Sequence, residues 1–591
     1  MLFGLGLFLL AGAIAAPVCP DPCAAIAGSL FSKPADALAC LRSFPFNETL
    51  RQNVMSTVSR VFDFYTFENY YPKSTAPFPN DVHIRNGLSR INSTSYVTDY
   101  DFNRDLYRFV NQLNDGHTLW LPNCYVTWEA LLPTPVVSVS VDGMEDVYIA
   151  PDIDEFISLL PDGFASYYES IDFNWKRLAG ARVLRIEGMP SYEYVAHVAD
   201  TVTGTYLDHG LRENSVFTSY RLIGTSYSQK FGDLAGRVFD PIEDLTIELI
   251  PVGESQAEIV TVPFLDVFLG NSFSDRDSYW ANNCAANDNT NGADRRSKSG
   301  TPPSYTRLRA KGITRFSSNA IGLPAKFQPS LPPVNVNASE MFSYLLPDGV
   351  TGVLFVGSFQ DDDHERFQRD VTATITALKA AGAVRLLIDL TNNPGGFISH
   401  FSRWLYLSGF QSAIRGNLLA RKIVKQLIAQ GISEDLSFYV IVNGRKDVTS
   451  LRFYDACPFS VPIPSLPPFD LTVVAIVTNG NCASTCALFS TLMKERHNTT
   501  IAVFGGRPGQ SIEFKGVAGN QVLEWTDLDS EIKTAGLKND PLAPPDLHNW
   551  RTAYSYLDED APIAYYSEPP SLRFPYTADT YNDPQNLWIF A

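Results

Sequence analysis

The chain runs to 591 residues, enough for several domains that each bury a core. Its 46 basic and 64 acidic side chains give a net charge of −18, which argues against nucleic acid as a partner and says nothing of fold or reaction. Gly-rich phosphate loops and the His-Glu-x-x-His zinc pattern are both missing, so neither a nucleotide nor a zinc cofactor is indicated.

In chain order, residues 1–16 form an uncharged apolar run with small residues at Ala13, Ala15 and Ala16. This reads as a signal peptide cleaved near Ala16, although the usual basic n-region is lacking, and implies a secreted, extracellular protein. No later stretch reaches the roughly eighteen continuous apolar residues of a membrane span, and the end of the sequence lacks a long apolar tail. The eight cysteines (Cys19, Cys23, Cys40, Cys124, Cys284, Cys457, Cys482 and Cys486) are an even set that suits an oxidising compartment. Order alone does not pair them; Cys19 or Cys23 with Cys40 is the favoured local bridge, and Cys482 and Cys486 are expected to be structural, since a metal would need more ligands nearby. Asn-x-Ser/Thr sequons at Asn47, Asn92, Asn337 and Asn498 fit a glycosylated exterior.

Residues 17–130 are predicted to be mainly helical, with a helical period over 54–65 and a polar aromatic loop over 70–79. Leu106, Phe109, Val110 and Leu113 mark a second helix running into Asp115-Gly116-His117-Thr118, with Gly116 the residue expected where the helix stops. Over 131–270 the pattern changes to short strands, at 136–141, 182–186 and 245–251. Residues 180–188 and a helix from Ser191 resemble the strand, turn and helix of a PDZ domain, a peptide-capturing module; a small β-rich spacer has the same periodicity. Residues 271–304 are polar and carry the dibasic Arg295-Arg296, which reads as an exposed linker and a place for a processing cut. The remainder, 305–591, is predicted to be an α/β catalytic domain, with strands at 352–359, 384–390, 471–477 and 500–504 alternating with helices, one of them marked by Phe367, Val371, Ile375 and Leu378. The acidic Asp361-Asp362-Asp363-His364-Glu365 opens that helix, where negative charge suits the helix dipole, and no metal is expected there.

Two segments carry chemistry. Leu390-Thr391-Asn392-Asn393-Pro394-Gly395-Gly396 follows one buried strand, and Asn479-Gly480-Asn481-Cys482-Ala483-Ser484-Thr485 follows another and leads into a helix. Amides at a helix N-terminus lack intrahelical partners and carry partial positive charge, so a serine there can serve as nucleophile beside an oxyanion site; the plainer reading of Ser484 is an N-cap. The pair resembles the tail-specific (C-terminal processing) serine peptidases, whose strand ends in Asp-x-x-x-Asn-Pro-Gly-Gly and whose serine follows a later strand. That resemblance implies a Ser484 nucleophile, with the Gly395 or Gly396 amide and the Thr485 amide as oxyanion hole.

The family's commoner general base is a lysine about twenty-five residues past the serine, but position 509 is Gly and the nearest lysine is Lys515. The branch typified by tricorn protease and the chlamydial protease-like activity factor instead places a histidine upstream in an Asp-Gly-His-Thr turn, which His117 matches. His400 is the rival base, and His497 beside a sequon is expected to be solvated. The branch's usual downstream acid motif is absent; the resemblance to secreted fungal members points to Glu568 as acid, with Glu513, Glu524 and Glu531 as alternatives. The expectation is a secreted serine endopeptidase acting on peptides or proteins without a cofactor. A non-catalytic binding protein on the same fold is the rival, and an esterase the third reading, although Gly-x-Ser-x-Gly is missing.

Overall fold

The computed structural model describes residues 21–65, 68, 80–237, 240–296, 322–361, 363–396, 409–414, 417–430, 438–442, 445–456, 466–516, 522–549, 552–556 and 570–591. The segment 1–16, Cys19, Cys457, His400, Glu568, the loop 70–79 and residues 297–304 of the polar stretch lie outside them.

The N-terminal region is helical: α1 (Glu48–Phe62), α2 (Ile84–Ser93) and α3 (Asp99–Asn111). Asn47 and Thr98 cap the first and third by accepting from Leu50 and Asp101 amides. The middle region supplies β1 (Val136–Val141), β2 (Met144–Ile149), β3 (Arg182–Ile186), α4 (Ser191–Val198), α5 (His209–Val216), the hairpin β4 (Ser219–Ile223) and β5 (Ser226–Lys230), then β6 (Asp244–Ile250) and β7 (Glu258–Pro263). Its main sheet has the order β7-β6-β3-β2-β1 with antiparallel neighbours. The β1 edge takes up the chain's own C-terminal segment, since Ser140 N–H donates to Tyr576 O at 2.7 Å.

A second large sheet follows: β8 (Met341–Leu345), β9 (Thr351–Val356), α7 (His364–Ala380), β10 (Arg385–Asp389), β11 (Val474–Thr478), α8 (Thr485–His497), β12 (Thr500–Phe504) and β13 (Leu572–Phe574). Three further helices matter below: α6 (Arg276–Asn283), which precedes this sheet, and α9 (Trp525–Thr534) and α10 (Pro584–Phe590), which flank its last strand in the chain. Strands β9 to β13 run parallel in chain order, and only β8 is antiparallel. Here the alternation read from the sequence is present: α7 crosses from β9 to β10, α8 from β11 to β12, and Phe367, Val371, Ile375 and Leu378 all face inward.

Both faces of this sheet are covered, as parallel strands require. Leu354, Ile388, Ile476, Ile501 and Val503 share one core with α7, α8 and the N-terminal helices. Val353, Phe355, Leu387, Val477, Ala502 and Phe504 share another with the middle sheet and α10. The period of two along each strand divides its side chains between the two cores. The sheet therefore lies between the helical region and the β-rich region.

The polar stretch departs from the linker expectation over 271–296. It contains α6, begun by an Asp275–Ser278 capping box, and Cys284 bridges to Cys124. Beyond it, Gly292, Ala293 and Arg295 amides donate to Asp529, Ser530 and Thr534 side chains of α9 at 2.9, 3.0 and 3.0 Å. Many side chains here are exposed, as the composition implies, but the backbone is tied down by caps and side-chain acceptors, which composition alone does not show. Two other bridges join Cys23 to Cys40 and Cys482 to Cys486. In the acidic run at 361–365, Asp363 caps α7, and buried Asp361 is held by Arg366 at 2.6 Å and by Ser339. Among the described residues no His/Cys/Asp/Glu group is placed to hold a metal, and no helix is long and apolar enough to cross a membrane.

One buried carboxylate has a consequence for stability. Asp266 is 1% exposed, its Oδ1 has no hydrogen-bond partner among the described residues, and burial pushes its carboxyl up to about 7 from 3.8. The folded state then binds more protons than the unfolded chain between about pH 4 and 7, so stability falls as pH rises through that window. Asp266→Asn is expected to raise the urea midpoint at pH 8 and leave it unchanged near pH 4. Equal midpoints at both pH values in the wild type and the variant would refute this.

Candidate active site

β10 and β11 are adjacent and parallel, so the turns that follow them emerge side by side at the C-terminal edge of the sheet, where α/β sheets place their sites. The first turn is anchored by Asp389, which is fully buried and accepts from Thr391 N–H at 2.8 Å, Trp588 Nε1 at 2.7 Å and Tyr220 O–H at 3.2 Å. Burial pushes its carboxyl up while these donors pull it down. Trp588 belongs to α10, so that helix is tied to the end of β10.

Gly395 takes φ 90° and Gly396 φ 144°. A Cβ on Gly395 would sit 2.6 Å from both Ser484 Cβ and Ala483 O and 2.9 Å from Thr485 N, so only glycine permits the two turns to meet. The contact is tied by Ala483 N–H donating to Asn393 O at 3.0 Å and by Thr485 Oγ1 donating to Gly396 O. The structure thus brings Gly395, Gly396, Ser484 and Thr485 together.

Ser484 stands at the N-cap position of α8, but not as a cap. Its φ 52° and ψ −122° lie outside the extended region usual for an N-cap, and its side chain makes no capping bond. A non-glycine residue held there costs on the order of 1–3 kcal/mol, and the surrounding ties must supply it. The Cys482–Cys486 disulfide joins the residues two before and two after Ser484, with both cysteines buried. Ser484 itself is half-buried.

One donor expected from the sequence is turned elsewhere. Gly395 N–H donates to Asn393 Oδ1 at 2.8 Å, because an Asn two residues ahead folds its side chain onto that amide in an Asx turn. Among the described residues the Gly396 and Thr485 amides have no acceptor.

His117 lies in the loop between α3 and Trp120, half-buried, its amide accepted by Asp115 Oδ1 at 3.1 Å. Asp115 is buried and also accepts from Tyr65 O–H at 3.1 Å and Thr118 Oγ1 at 2.7 Å, which fixes the loop. Leu113 and Trp120, flanking His117, belong to the same core as Cys482, Ala483 and Cys486 flanking Ser484. Gly116 is not the helix stop: α3 ends at Asn111, and Asn114 takes the left-handed conformation at φ 52°. Asn tolerates that region through local hydrogen bonding, so the turn needs no glycine there.

Of the other candidates, His497 is exposed at the end of α8. Glu513 and Lys515 are buried beside the Ser484 turn, since Gly516 N–H donates to Cys482 O at 2.8 Å and a Cβ on Gly480 would lie 2.8 Å from Glu513 O. Glu524 and Glu531 are buried at the start of and within α9. The four sequon asparagines, Asn47, Asn92, Asn337 and Asn498, are all exposed.

The sequence reading missed a cluster of buried amides around these turns. Asn392 accepts at Oδ1 from both Asn479 and Asn481 at 3.0 Å, and Asn214 of α5 donates to Asn479 O at 2.6 Å. The available signal was three asparagines in two glycine-containing turns, which composition reads as loop.

The fold is therefore a mixed α/β, multi-sheet one, with a serine and a glycine turn converging at the edge of a parallel sheet. No protein-family model matches the chain. In sequence it is similar to the peptidase S41 family protein ustP of Aspergillus flavus, 29% identical over 163 residues, which is 22% of this chain and 34% of the relative. The chain thus matches about a third of that relative's length. Among solved structures, mature CPAF complexed with lactacystin is similar over 92% of this chain and 97% of its own, at 13% identity and TM-score 0.49. The tricorn protease is similar over 91% of this chain and 36% of its own, at 11% identity and TM-score 0.28. The sequence similarity agrees with the motifs: the chain resembles an S41-type peptidase.

Proposed function

We propose that this chain is a secreted serine endopeptidase that cleaves peptide bonds through an acyl-enzyme on Ser484. The observation that carries the reading is the Ser484 conformation, a non-capping serine at φ 52° wedged against Gly395 at a helix N-terminus. Backbone strain of this kind clusters at active sites, and a sharp strand-to-helix turn presents a nucleophile.

In this mechanism His117 takes the proton from Ser484 Oγ as the oxygen attacks the substrate carbonyl. The Thr485 and Gly396 amides, at the positive end of α8, stabilise the oxyanion, while Gly395 supplies the close approach. His117 then protonates the leaving amine, and water hydrolyses the acyl-enzyme by the reverse proton path. Loss of one such donor typically costs about 10²–10³ in rate. Glu568 orients the imidazole, with Glu513, Glu524 and Glu531 the alternatives; Glu513 is favoured among these by the contact of its backbone with Gly480 in the serine turn. The middle region holds substrate as a PDZ-like module, with one edge of its main sheet already occupied at Tyr576.

A second reading makes Lys515 the base, favoured by its burial next to the Ser484 turn through the Gly516–Cys482 hydrogen bond. The test is covalent labelling of the intact protein with a fluorophosphonate, followed by hydrolysis of matched peptide and ester substrates. Labelling at Ser484 with peptide turnover supports the peptidase, ester turnover alone an esterase, and no labelling a non-catalytic binding protein. His117→Ala without effect, together with an inactive Lys515→Met, would replace the base. Glu568→Gln is expected to cost less than loss of Ser484 or His117, because the acid acts only through the imidazole; full activity in that variant moves the role to Glu513.

A further inference from the structure

Asn392 has φ 53°, a conformation glycine accepts more readily, yet an asparagine stands there. Its side chain accounts for the choice. Nδ2 donates to Ser219 Oγ at 2.8 Å and to Tyr220 O at 2.6 Å, and Oδ1 accepts from Asn479 Nδ2 and Asn481 Nδ2, both at 3.0 Å. Two N–H groups and two lone pairs exhaust what an amide offers. The Asn392 backbone N–H adds a bond to Asn479 Oδ1 at 3.1 Å.

The partners reach further. Asn481 Oδ1 accepts from Ser215 Oγ at 2.9 Å, and Asn214 Nδ2 donates to Asn479 O at 2.6 Å and Phe504 O at 3.2 Å while its Oδ1 accepts from Gly506 N–H at 3.2 Å. A short stretch of the middle region, from α5 into β4, thereby holds the turns that follow β10, β11 and β12. All of these side chains are buried. In so dry a cluster each bond resists displacement more than it would in water.

We infer that Asn392 is the positioning residue that sets the Gly395–Gly396 turn against Ser484, with Asn214, Asn479 and Asn481 completing the clamp. The inference rests on the serine peptidase reading above. Asn392 touches neither the substrate nor the reacting atoms; it acts by fixing the oxyanion donors relative to the nucleophile, where a displacement near 1 Å costs about 10² in rate.

The test uses the full chain, with quenched-fluorescent casein as substrate and a fluorophosphonate as label. Asn392→Gly keeps the backbone conformation and deletes four side-chain hydrogen bonds. Its kcat is expected to fall about 10²-fold at nearly unchanged KM, with labelling slowed in proportion. Ser219→Ala, which removes one partner outside both turns, is expected to act in the same direction more weakly. A purely structural role would lower the unfolding midpoint and leave kcat per folded molecule intact at 25 °C. Should Asn392→Gly fail to fold, Ser219→Ala and Asn481→Ser decide by the same kcat and KM readout. Wild-type labelling with unchanged kcat in the variants overturns the positioning role alone; a wild type that neither labels nor turns over casein overturns the serine reading as well.

Discussion

Ser484→Ala is expected to abolish peptide hydrolysis and fluorophosphonate labelling while changing stability by no more than about 0.5 kcal/mol. The serine is half-buried, makes no capping bond and is held at φ 52°, so removing its hydroxyl removes no packing and no described hydrogen bond. His117→Ala is expected to be as damaging, and the double variant no worse than either, because members of one proton relay act as a unit. Additive losses in the double variant would mean that the two residues do not share a step. Full hydrolysis by Ser484→Ala would end the peptidase mechanism.

The second large effect is expected from the glycine turn. In Gly395→Ala the new Cβ would lie 2.6 Å from Ser484 Cβ and from Ala483 O, at a φ of 90° that L-residues rarely adopt. The neighbouring atoms are backbone or the serine itself, so relief requires one turn to move away from the other. A shift near 1 Å is enough to remove about 10² in rate. Gly396→Ala is more severe sterically, with Cβ 2.1 Å from Phe359 C. Both variants should retain the far-ultraviolet spectrum of the wild type and lose labelling at Ser484. Wild-type labelling rates in Gly395→Ala would show that the close approach has no part in activating the serine.

The strands and helices around these turns were legible because their periodicities are local. The strand at 500–504 follows from a short apolar run stopped by glycines, and the inward face of α7 from 3.6-residue spacing; neither depends on distant parts of the chain. The same holds for Ser484 and the glycine turn as motifs, since a Gly-rich turn after an apolar strand is written in consecutive residues. Where the sequence misled, polarity was ambiguous. Residues 271–304 have the composition of a solvated linker, but within them the Gly292, Ala293 and Arg295 amides pair with Asp529, Ser530 and Thr534, more than two hundred positions away. The helix expected to stop at Gly116 ends at Asn111, and the left-handed residue of the turn that follows is Asn114, which tolerates that conformation without being glycine.

By itself the sequence determined which residues form the two turns and that each follows a buried strand. Only the tertiary structure decided that Gly395 packs on Ser484, that the Gly395 amide is folded onto Asn393, and that Ser484 does not cap its helix. It also revealed that Asn214 and Ser215 of the middle region hold the Ser484 turn from 265 and 266 positions away. Hydrogen bonds between distant turns leave no periodic trace in a sequence, because an amide's partners are chosen by the geometry that the packed strands impose.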